Sequence, residues 1–198
     1  MLELAGDKRS GVFVDVGCNH PTFINNTAYL EREKGWTGLS IDAQPDFAVM
    51  YSQERRSNFL ACCVGAGVGQ VTFGVVRDGA GNVLSGVYDQ LPRANVRGHV
   101  IRMQRLVQRP LGIILEEREI REIDCLFIDV EGYELEVLKG IEFSRVSIAI
   151  IVLENARGIS GDNVIRNFLN ERGYRLRMRV RTDDIFVKST LPLENATR

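Results

Sequence analysis

Acidic side chains lie at or just beyond the ends of several short apolar runs in this sequence: Asp15, Asp42, Asp129, Glu131 and Glu154. The carboxyl ends of parallel strands meet at one edge of a sheet, where open α/β sheets bind their ligands. We therefore expect these carboxylates to share one site. Like charges buried together are costly unless a cation or a proton offsets them. The pattern predicts a ligand that carries a positive charge or an exchangeable proton.

The first apolar run leads into the segment Asp15-Val-Gly-Cys-Asn-His-Pro21. Gly17 allows the backbone to approach a ligand closely, but the G-x-G-x-x-G pattern that cradles a diphosphate is missing. A cofactor bound here is therefore expected to lack a diphosphate and to end in an amino acid, whose ammonium group Asp15 could meet. The D-x-G motif alone is weak evidence, because many strand-to-turn corners contain one.

Asp42 ends the second apolar run, 27 residues after Asp15. An acid at this point can accept hydrogen bonds from both hydroxyls of a ribose. The alternative is a solvated aspartate at the end of a strand. Its position after the D-x-G segment favours the ribose site.

Asp129 and Glu131 leave a later apolar strand at positions i and i+2, and hence on the same side. An acidic helix start, favoured by the dipole of the following helix, would explain Glu131 and Glu134. It does not explain Asp129 within an apolar strand. Glu154 and Asn155 repeat the pattern of polar groups at the end of the next strand.

Four segments, in order, resemble a known family: VDVGCNHP, NNTAYLEREKGWTGLSIDAQP, IDCLFIDVEGYELEVLKG and IAIIVLEN. Together they resemble the FkbM-type methyltransferases over roughly residues 11 to 188, and IDVEGYELEVLKG is the most specific piece. The resemblance implies S-adenosylmethionine as the cofactor. It also implies that the methyl acceptor is a hydroxyl oxygen, on a sugar or on another small-molecule metabolite.

The resemblance assigns several residues to the methionine end of this cofactor: Asp15, Gly17, Asn19, Asn26 and Thr27. Asn26 and Thr27 would begin a helix and offer donors to the cofactor carboxylate, because a helix dipole favours an anion at its start. The turn His20-Pro21 departs from the more glycine-rich turn of many members, and the shape of this loop is therefore left open.

The remaining cofactor contacts implied by the resemblance lie after the next strands. Asp42 would hold the ribose, and Cys63 and Val64 would flank the adenine. Asp129 and Glu131 would face the reacting methyl group or the acceptor.

Glu131, on the looser turn, is the better candidate to orient or deprotonate an acceptor hydroxyl, and Asp129 is expected to organise the cofactor side. His20 and Glu154 are the alternative bases. A turn histidine bonded to the backbone explains His20 equally well. A structural Glu131 would instead cap the next helix.

Two other functions are compatible with the same fold class. The first is a nucleotide-dependent oxidoreductase or epimerase, which the missing glycine fingerprint disfavours. The second is a noncatalytic protein that binds the cofactor, and the presence of all the carboxylates argues against it. Binding of S-adenosylhomocysteine rather than NAD would separate the proposed enzyme from the oxidoreductase.

Short apolar runs alternate with helical patterns, which predicts one α/β domain over residues 1–198. We expect a Rossmann-like class I methyltransferase fold, with a mostly parallel twisted sheet, helices on both faces and a C-terminal antiparallel hairpin. One of the predicted strands runs without a break from Asn58 to Val64. The glycine-rich segment 77–110 is expected to be an insertion or cap without much regular structure.

Composition limits the possible partners. A net charge of −1 gives no field that would attract nucleic acid. The four cysteines form no C-x-x-C pair, and we therefore expect reduced thiols and no metal. Residues 1–11 lack the apolar core of a signal peptide, and the longest apolar run is too short to span a bilayer. We expect a cytoplasmic enzyme that does not bind membranes and acts on a small-molecule or saccharide acceptor; the oligomeric state is open.

Arginines are concentrated in two stretches. Those between Arg93 and Arg109 could bind an anionic substrate, although a solvated surface is the commoner explanation. Those from Arg175 to Arg181 alternate with apolar residues, and this period of two predicts that all of them lie on one side of a strand.

Overall fold

Two β-sheets form the framework of the described chain, which comprises residues 8–77, 84–155 and 163–190 of a computed structural model. In chain order, the strands are β1 (Val12–Val16), β2 (Thr37–Asp42), β3 (Asn58–Ala61), β4 (Cys63–Val64), β5 (Gly69–Arg77), β6 (Gly86–Val87), β7 (Val100–Arg109), β8 (Glu122–Ile128), β9 (Ser147–Glu154), β10 (Tyr174–Val180) and β11 (Asp183–Lys188). The helices are α1 (Ala28–Lys34), α2 (Phe47–Glu54), α3 (Arg93–Val96), α4 (Leu111–Glu117), α5 (Glu134–Lys139) and α6 (Val164–Asn170).

The larger sheet has seven strands in the order β10-β11-β9-β8-β1-β2-β3. In this sheet, neighbouring strands pair in parallel along β9-β8-β1-β2-β3. Strand β11 is antiparallel to both β9 and β10. The short connection between β10 and β11 permits only antiparallel pairing. The predicted α/β class and the C-terminal hairpin are thus confirmed, and the sheet as a whole is mixed.

Helices cover both faces of this sheet because its inner strands are apolar on both sides. On β1, Val14 and Val16 belong to the core that includes Leu111 of α4, whereas Phe13 packs with Leu30 of α1. Successive residues of a strand point to opposite faces, and this alternation separates the two clusters. Within the described residues, no helix has the length and apolar character needed to cross a membrane.

The strand predicted from Asn58 to Val64 is in fact two strands that belong to different sheets. β3 continues the larger sheet next to β2, and β4 pairs with the end of β7 in the smaller one. The break falls at Cys62, whose N–H donates to the Asp42 carbonyl at 2.8 Å. The prediction of one strand was wrong because an apolar run does not reveal which partner each half will bond.

The second sheet has four strands in the order β4-β7-β5-β6 and includes much of the segment 77–110. β5 and β7 pair antiparallel from Gly69 opposite Gln108 to Arg77 opposite Val100. The described part of the segment thus contains β6, α3 and β7 and is more regular than the expected insertion; residues 78–83 lie outside the described ranges. One face of this sheet packs Phe73, Val75 and Val87 against Tyr133, which places it beside the larger sheet.

A β-bulge overturns the prediction that the arginines of β10 share one side. The register between β10 and β11 shifts between Leu176 and Met178. Arg175 is opposite Val187 and Arg179 is opposite Asp184, which lie on opposite faces of β11 because they are three residues apart. One extra residue in a strand reverses the faces of all that follow, and the sequence alternation gives no sign of it.

The hairpin is tied to β9 by a buried carboxylate, which provides a test of the fold. Asp184 is fully buried and accepts two hydrogen bonds from Arg179, at 2.5 and 2.7 Å, and one from Asn155 at 2.8 Å. Asp184→Ala removes the shared partner of both side chains. We expect the free energy of unfolding to fall by about 1–3 kcal/mol in urea denaturation, the scale of lost hydrogen bonds to a charged group.

Arg175→Ala is the matched control, because Arg175 is an exposed arginine of the same strand that donates to the Ser189 carbonyl at 3.2 Å. Its effect should stay within about 0.5 kcal/mol. Equal effects of the two substitutions would mean that Asp184 does not anchor the hairpin.

Candidate active site

A cleft lies between the carboxyl ends of the central strands and the second sheet. It is bordered by β1, β2, β4, β5 and β6 and by the loop after β8. Six of the predicted site residues line it: Gly17, Asn19, Asp42, Cys63, Val64 and Asp129. The sequence motifs therefore converge on one cleft at the sheet edge where the strand order predicts it.

Gly17 closes the end of β1 against the loop after β8. Its φ of +83° is a backbone conformation that favours glycine. A Cβ atom added at Gly17 would lie 1.8 Å from the carbonyl oxygen of Asp129, and no rearrangement of a side chain could relieve that contact. The need for glycine at this position thus comes from the approach of two backbones, in addition to any approach of a ligand.

Asp42 lies in the wall of the cleft and is held by two backbone donors. Its Oδ2 accepts from the N–H of Asn19 at 3.0 Å, and its Oδ1 accepts from the N–H of Gln44 at 2.8 Å. Burial raises the pKa of Asp42 to about 6, although these hydrogen bonds lower it. Asp42 lines the cleft, where the hydroxyls of a ligand such as a diol could reach its carboxylate oxygens.

Asp15 and Thr27 form a buried pair that does not line the cleft. The Thr27 hydroxyl donates to Oδ2 of Asp15 at 2.9 Å, and both side chains are inaccessible to solvent. Burial raises the pKa of Asp15 to about 6, against the opposing effects of Thr27 and the Arg55 charge. Asn26, the residue before Thr27, is exposed. These residues support the loop after β1 from the side of the core.

The sequence analysis missed Arg55, which holds this loop in place. Its side chain is 3% exposed. It donates to the Pro21 carbonyl at 2.8 Å, to Oδ1 of Asn25 at 3.0 Å and to the Thr27 hydroxyl at 3.0 Å. Its Nε lies 3.3 Å from Oε1 of Glu31, which neutralises the buried charge. No local pattern distinguishes Arg55 from its neighbour Arg56, which is exposed.

Asn25 was also missed, and it caps the start of the helix that Asn26 and Thr27 were expected to begin. Its Oδ1 accepts from the N–H of Thr27 at 3.0 Å and from that of Ala28 at 2.8 Å. Its Nδ2 lies 2.9 Å from the Cys18 carbonyl and 3.0 Å from the His20 carbonyl. The preference of asparagine for helix starts was a usable signal, but it does not choose between adjacent asparagines.

His20 lies in the same loop, and the geometry explains it as a turn histidine. Its Nδ1 accepts from the N–H of Thr22 at 3.2 Å and from the N–H of Phe23 at 3.1 Å. The lone pair of Nδ1 is therefore already used by the backbone. His20 does not line the cleft.

The mouth of the cleft, where Asp129 lies beside Glu131 and Glu154, is acidic. Of these three residues, Asp129 alone lines the cleft itself. Carboxylate oxygens of Asp129, Glu131 and Glu154 lie within 4.8 Å of one another, and Asp183 is paired with Glu154 across the sheet. Loss of hydration, followed by the charges of Glu154 and Glu131, raises the pKa of Asp129 well above the usual value. Because Asp129 itself reaches solvent, the repulsion among carboxylates is the firmer cause.

This acidic group is the one cluster with metal-ligand spacing found among the described residues. The expectation of no metal came from cysteine and histidine spacing, which says nothing about carboxylates. The cysteines themselves are free thiols, as expected, and Cys18, Cys63 and Cys125 are buried. What the three carboxylates share is an affinity for a proton or for a positively charged group.

Glu131 occupies a left-handed turn after β8, with φ of +56°. The carboxylate that bonds the backbone of this turn belongs to Glu134, which accepts from the N–H of Gly132 at 2.9 Å and from that of Val130 at 3.3 Å. The helix α5 begins after Tyr133, which makes no side-chain cap.

Comparison with known proteins supports the same interpretation of these motifs. The family model described as "Methyltransferase FkbM domain" matches residues 15–176, which is most of the chain and includes every strand from β2 to β9. Curated proteins gave no significant match. The matched range contains the loop after β1, Asp42 and the acidic mouth, and the chain therefore belongs to the FkbM family of methyltransferase domains.

Proposed function

We propose that the protein is an S-adenosylmethionine-dependent methyltransferase that methylates a hydroxyl oxygen of a sugar or another small-molecule metabolite. The observation that carries the proposal is that Asp42 and Asp129 line the same cleft. The first can accept a diol, and the second leads to a group of carboxylates that favours a positive charge. A sulfonium cofactor with a ribose offers both features.

The residues of the cleft fit the parts of this cofactor. Asp42 would hold the ribose hydroxyls. Cys63 and Val64 are buried and apolar, as a pocket for adenine requires. The Tyr133 ring, whose hydroxyl donates to Gln108 at 2.9 Å, also lines the cleft and could flank the base.

At the methionine end, Gly17 and Asn19 would contact the cofactor directly, because both line the cleft. Asp15 and Thr27 would not contact the cofactor; their buried hydrogen bond would fix the loop that carries Asn19. Asn26 is exposed and keeps its proposed role toward the cofactor carboxylate only if the ligand extends beyond the cleft.

When bound, the cofactor supplies a methyl group on positively charged sulfur. Glu131 would receive the proton that the acceptor hydroxyl loses as its oxygen bonds to the methyl carbon. Asp129 and Glu154 lie beside Glu131, and their charges make a proton favourable there. The main contribution of the site is alignment of the acceptor with the methyl group.

The rival functions are less well supported. A nucleotide-dependent oxidoreductase or epimerase would need a cradle for a diphosphate, whereas the loop after β1 packs its only glycine against Asp129. A noncatalytic protein would not need the carboxylates at the mouth. Calorimetry with S-adenosylhomocysteine and with NAD distinguishes the proposed enzyme from the oxidoreductase, since tight binding of NAD alone would contradict the proposal. Transfer of a methyl group distinguishes it from the noncatalytic protein.

The acceptor class can be tested with the purified protein and S-adenosylmethionine carrying a labelled methyl group. The acceptors offered would be methyl glucoside, glucuronic acid and glucosamine, which are neutral, anionic and cationic sugars. We expect mass spectrometry to detect labelled methyl ether on a sugar, and label on nitrogen alone would correct the proposed oxygen specificity.

Asp42→Ala should weaken the binding of S-adenosylhomocysteine by about 1.5–3 kcal/mol, the scale of hydrogen bonds to a charged group. Isothermal calorimetry measures this directly. Asp46→Ala is the matched control, because Asp46 is a nearby exposed aspartate whose side chain caps no helix. Unchanged affinity in a folded Asp42→Ala protein would remove Asp42 from the site.

The pKa of about 6 for Asp42 predicts a pH dependence of binding. Above pH 6 the carboxylate accepts both hydroxyls, and below it the affinity for S-adenosylhomocysteine should fall by up to about tenfold per pH unit. Asp42→Asn should flatten this dependence, with any residual slope due to Asp15.

Protonation of Asp42 does not itself destabilise the fold. A folded pKa above the unfolded value of 3.8 means that Asp42 binds protons more tightly in the native protein, so its contribution to stability increases as pH falls from about 6 toward 4. If the affinity of the wild-type protein for S-adenosylhomocysteine does not change between about pH 5 and about pH 8, Asp42 is excluded as the ribose ligand.

Glu131→Gln should lower turnover by roughly 10²–10⁴, because glutamine keeps the size of the side chain but cannot accept the proton. Binding of S-adenosylhomocysteine and the melting temperature should hardly change. The labelled methyl assay, with whichever sugar is methylated, gives the rate. Glu154→Gln is the control at the same mouth; a loss of turnover in that variant alone would assign the base to Glu154.

A further inference from the structure

Glu134 is a buried carboxylate that the proposed chemistry does not use. It is the first residue of α5 and is 5% exposed. Burial raises its pKa, against the effect of the backbone donors of Gly132 and Val130. A buried carboxylate is costly unless it is hydrogen-bonded, and Glu134 directs these hydrogen bonds to the turn that carries Glu131.

The helix dipole does not account for this burial. A dipole favours acidic residues in the first turn whether or not they are buried. Glu136 lies in the same first turn and fills that role at the surface, where its carboxylate pairs with Lys139 at 2.6 Å. Glu134 instead points back to the preceding loop, with one oxygen shared between two N–H groups.

The turn from Val130 to Gly132 needs such support because its backbone is strained. Glu131 and Gly132 are both left-handed, with φ of +56° and +98°. Glycine adopts this conformation freely, whereas glutamate does so at a cost and keeps it only where the surroundings enforce it. A relaxed turn would point the Glu131 side chain elsewhere.

The opposite side of the turn is closed by β6. A Cβ atom added at Gly86 would lie 3.3 Å from Cβ of Glu131 and 3.3 Å from the Val130 carbonyl oxygen. The turn is thus enclosed between the second sheet and the Glu134 carboxylate. Gly86 limits its movement in one direction, and the two hydrogen bonds fix it in the other.

We infer that Glu134 is a positioning residue, which holds the Val130–Gly132 turn so that Glu131 is presented beside Asp129 and Glu154. The role of Glu131 in this inference rests on the proposed function. That Glu134 fixes the turn through its hydrogen bonds is a separate claim, which does not depend on that function. It assigns Glu134, the second of the three glutamates in the motif, a task that is distinct from charge.

Three variants of the full chain test this inference: Glu134→Ala, Glu134→Gln and the control Glu136→Ala. Glutamine retains an oxygen that can accept both N–H groups, whereas alanine cannot. Hydrogen exchange at the amides of Val130 and Gly132 should become at least about tenfold faster in Glu134→Ala. It should stay close to the wild-type rate in Glu134→Gln and in Glu136→Ala.

Turnover with the sugar found by the labelled methyl assay should fall about 10²-fold in Glu134→Ala, the scale of a small displacement of a reacting group. The affinity for S-adenosylhomocysteine should remain, and Glu134→Gln should restore most of the rate. A helix cap alone would instead lower the melting temperature and leave the rate of the folded protein intact.

Two results would overturn the inference: unchanged amide exchange in Glu134→Ala, or faster exchange with unchanged turnover. A wild-type protein that transfers no methyl group to any sugar would count against the proposed function instead. The exchange measurement would still decide whether Glu134 holds the turn, because it needs no substrate.

Discussion

Two parallel strands, β1 and β8, end so close to each other that no side chain fits between them. The Cβ of any residue other than glycine at position 17 would overlap the carbonyl oxygen of Asp129, and the N–H of Asp129 donates to the Val16 carbonyl at 2.9 Å. This contact sends the chain after β1 toward β2, where the Asn19 N–H reaches Asp42. It also sends Asp129 out of the sheet to the mouth of the cleft. Both ends of the site therefore depend on one backbone approach, which a glycine at the end of β1 makes possible.

The two ends of the cleft treat negative charge differently. In the interior, each acid has a partner: Asp42 accepts two backbone N–H groups, and Asp15 accepts the Thr27 hydroxyl, which in turn accepts from Arg55. These partners fix the loops while the carboxylates stay in place. At the mouth, the charged groups that shift the pKa of Asp129 are all carboxylates. Under the proposed function, Asp42 would hold a neutral polar part of the ligand, and the mouth would receive a positive one.

The sequence predicts local elements well, and it fails where a partner distant in sequence decides. The C-terminal antiparallel hairpin follows from local patterns and was predicted correctly. The break at Cys62 and the bulge after Leu176 could not be predicted, since each depends on which strand lies alongside. The same limit applies to the site. The glycine and acid positions that line the cleft are visible in the motifs, but Arg55 is an ordinary arginine until the fold buries it.

The second sheet gives the family motif after β8 a physical meaning that its letters do not show. β6 lies against the turn at Glu131, and Gln108 of β7 accepts the hydroxyl of Tyr133. Glu134 bonds the same turn from the core side. Successive residues of one short segment thus reach three different parts of the molecule. A strained backbone persists where its surroundings hold it from several sides, and under the proposed function a rigid turn would serve Glu131, because alignment accounts for much of the rate of a methyl transfer.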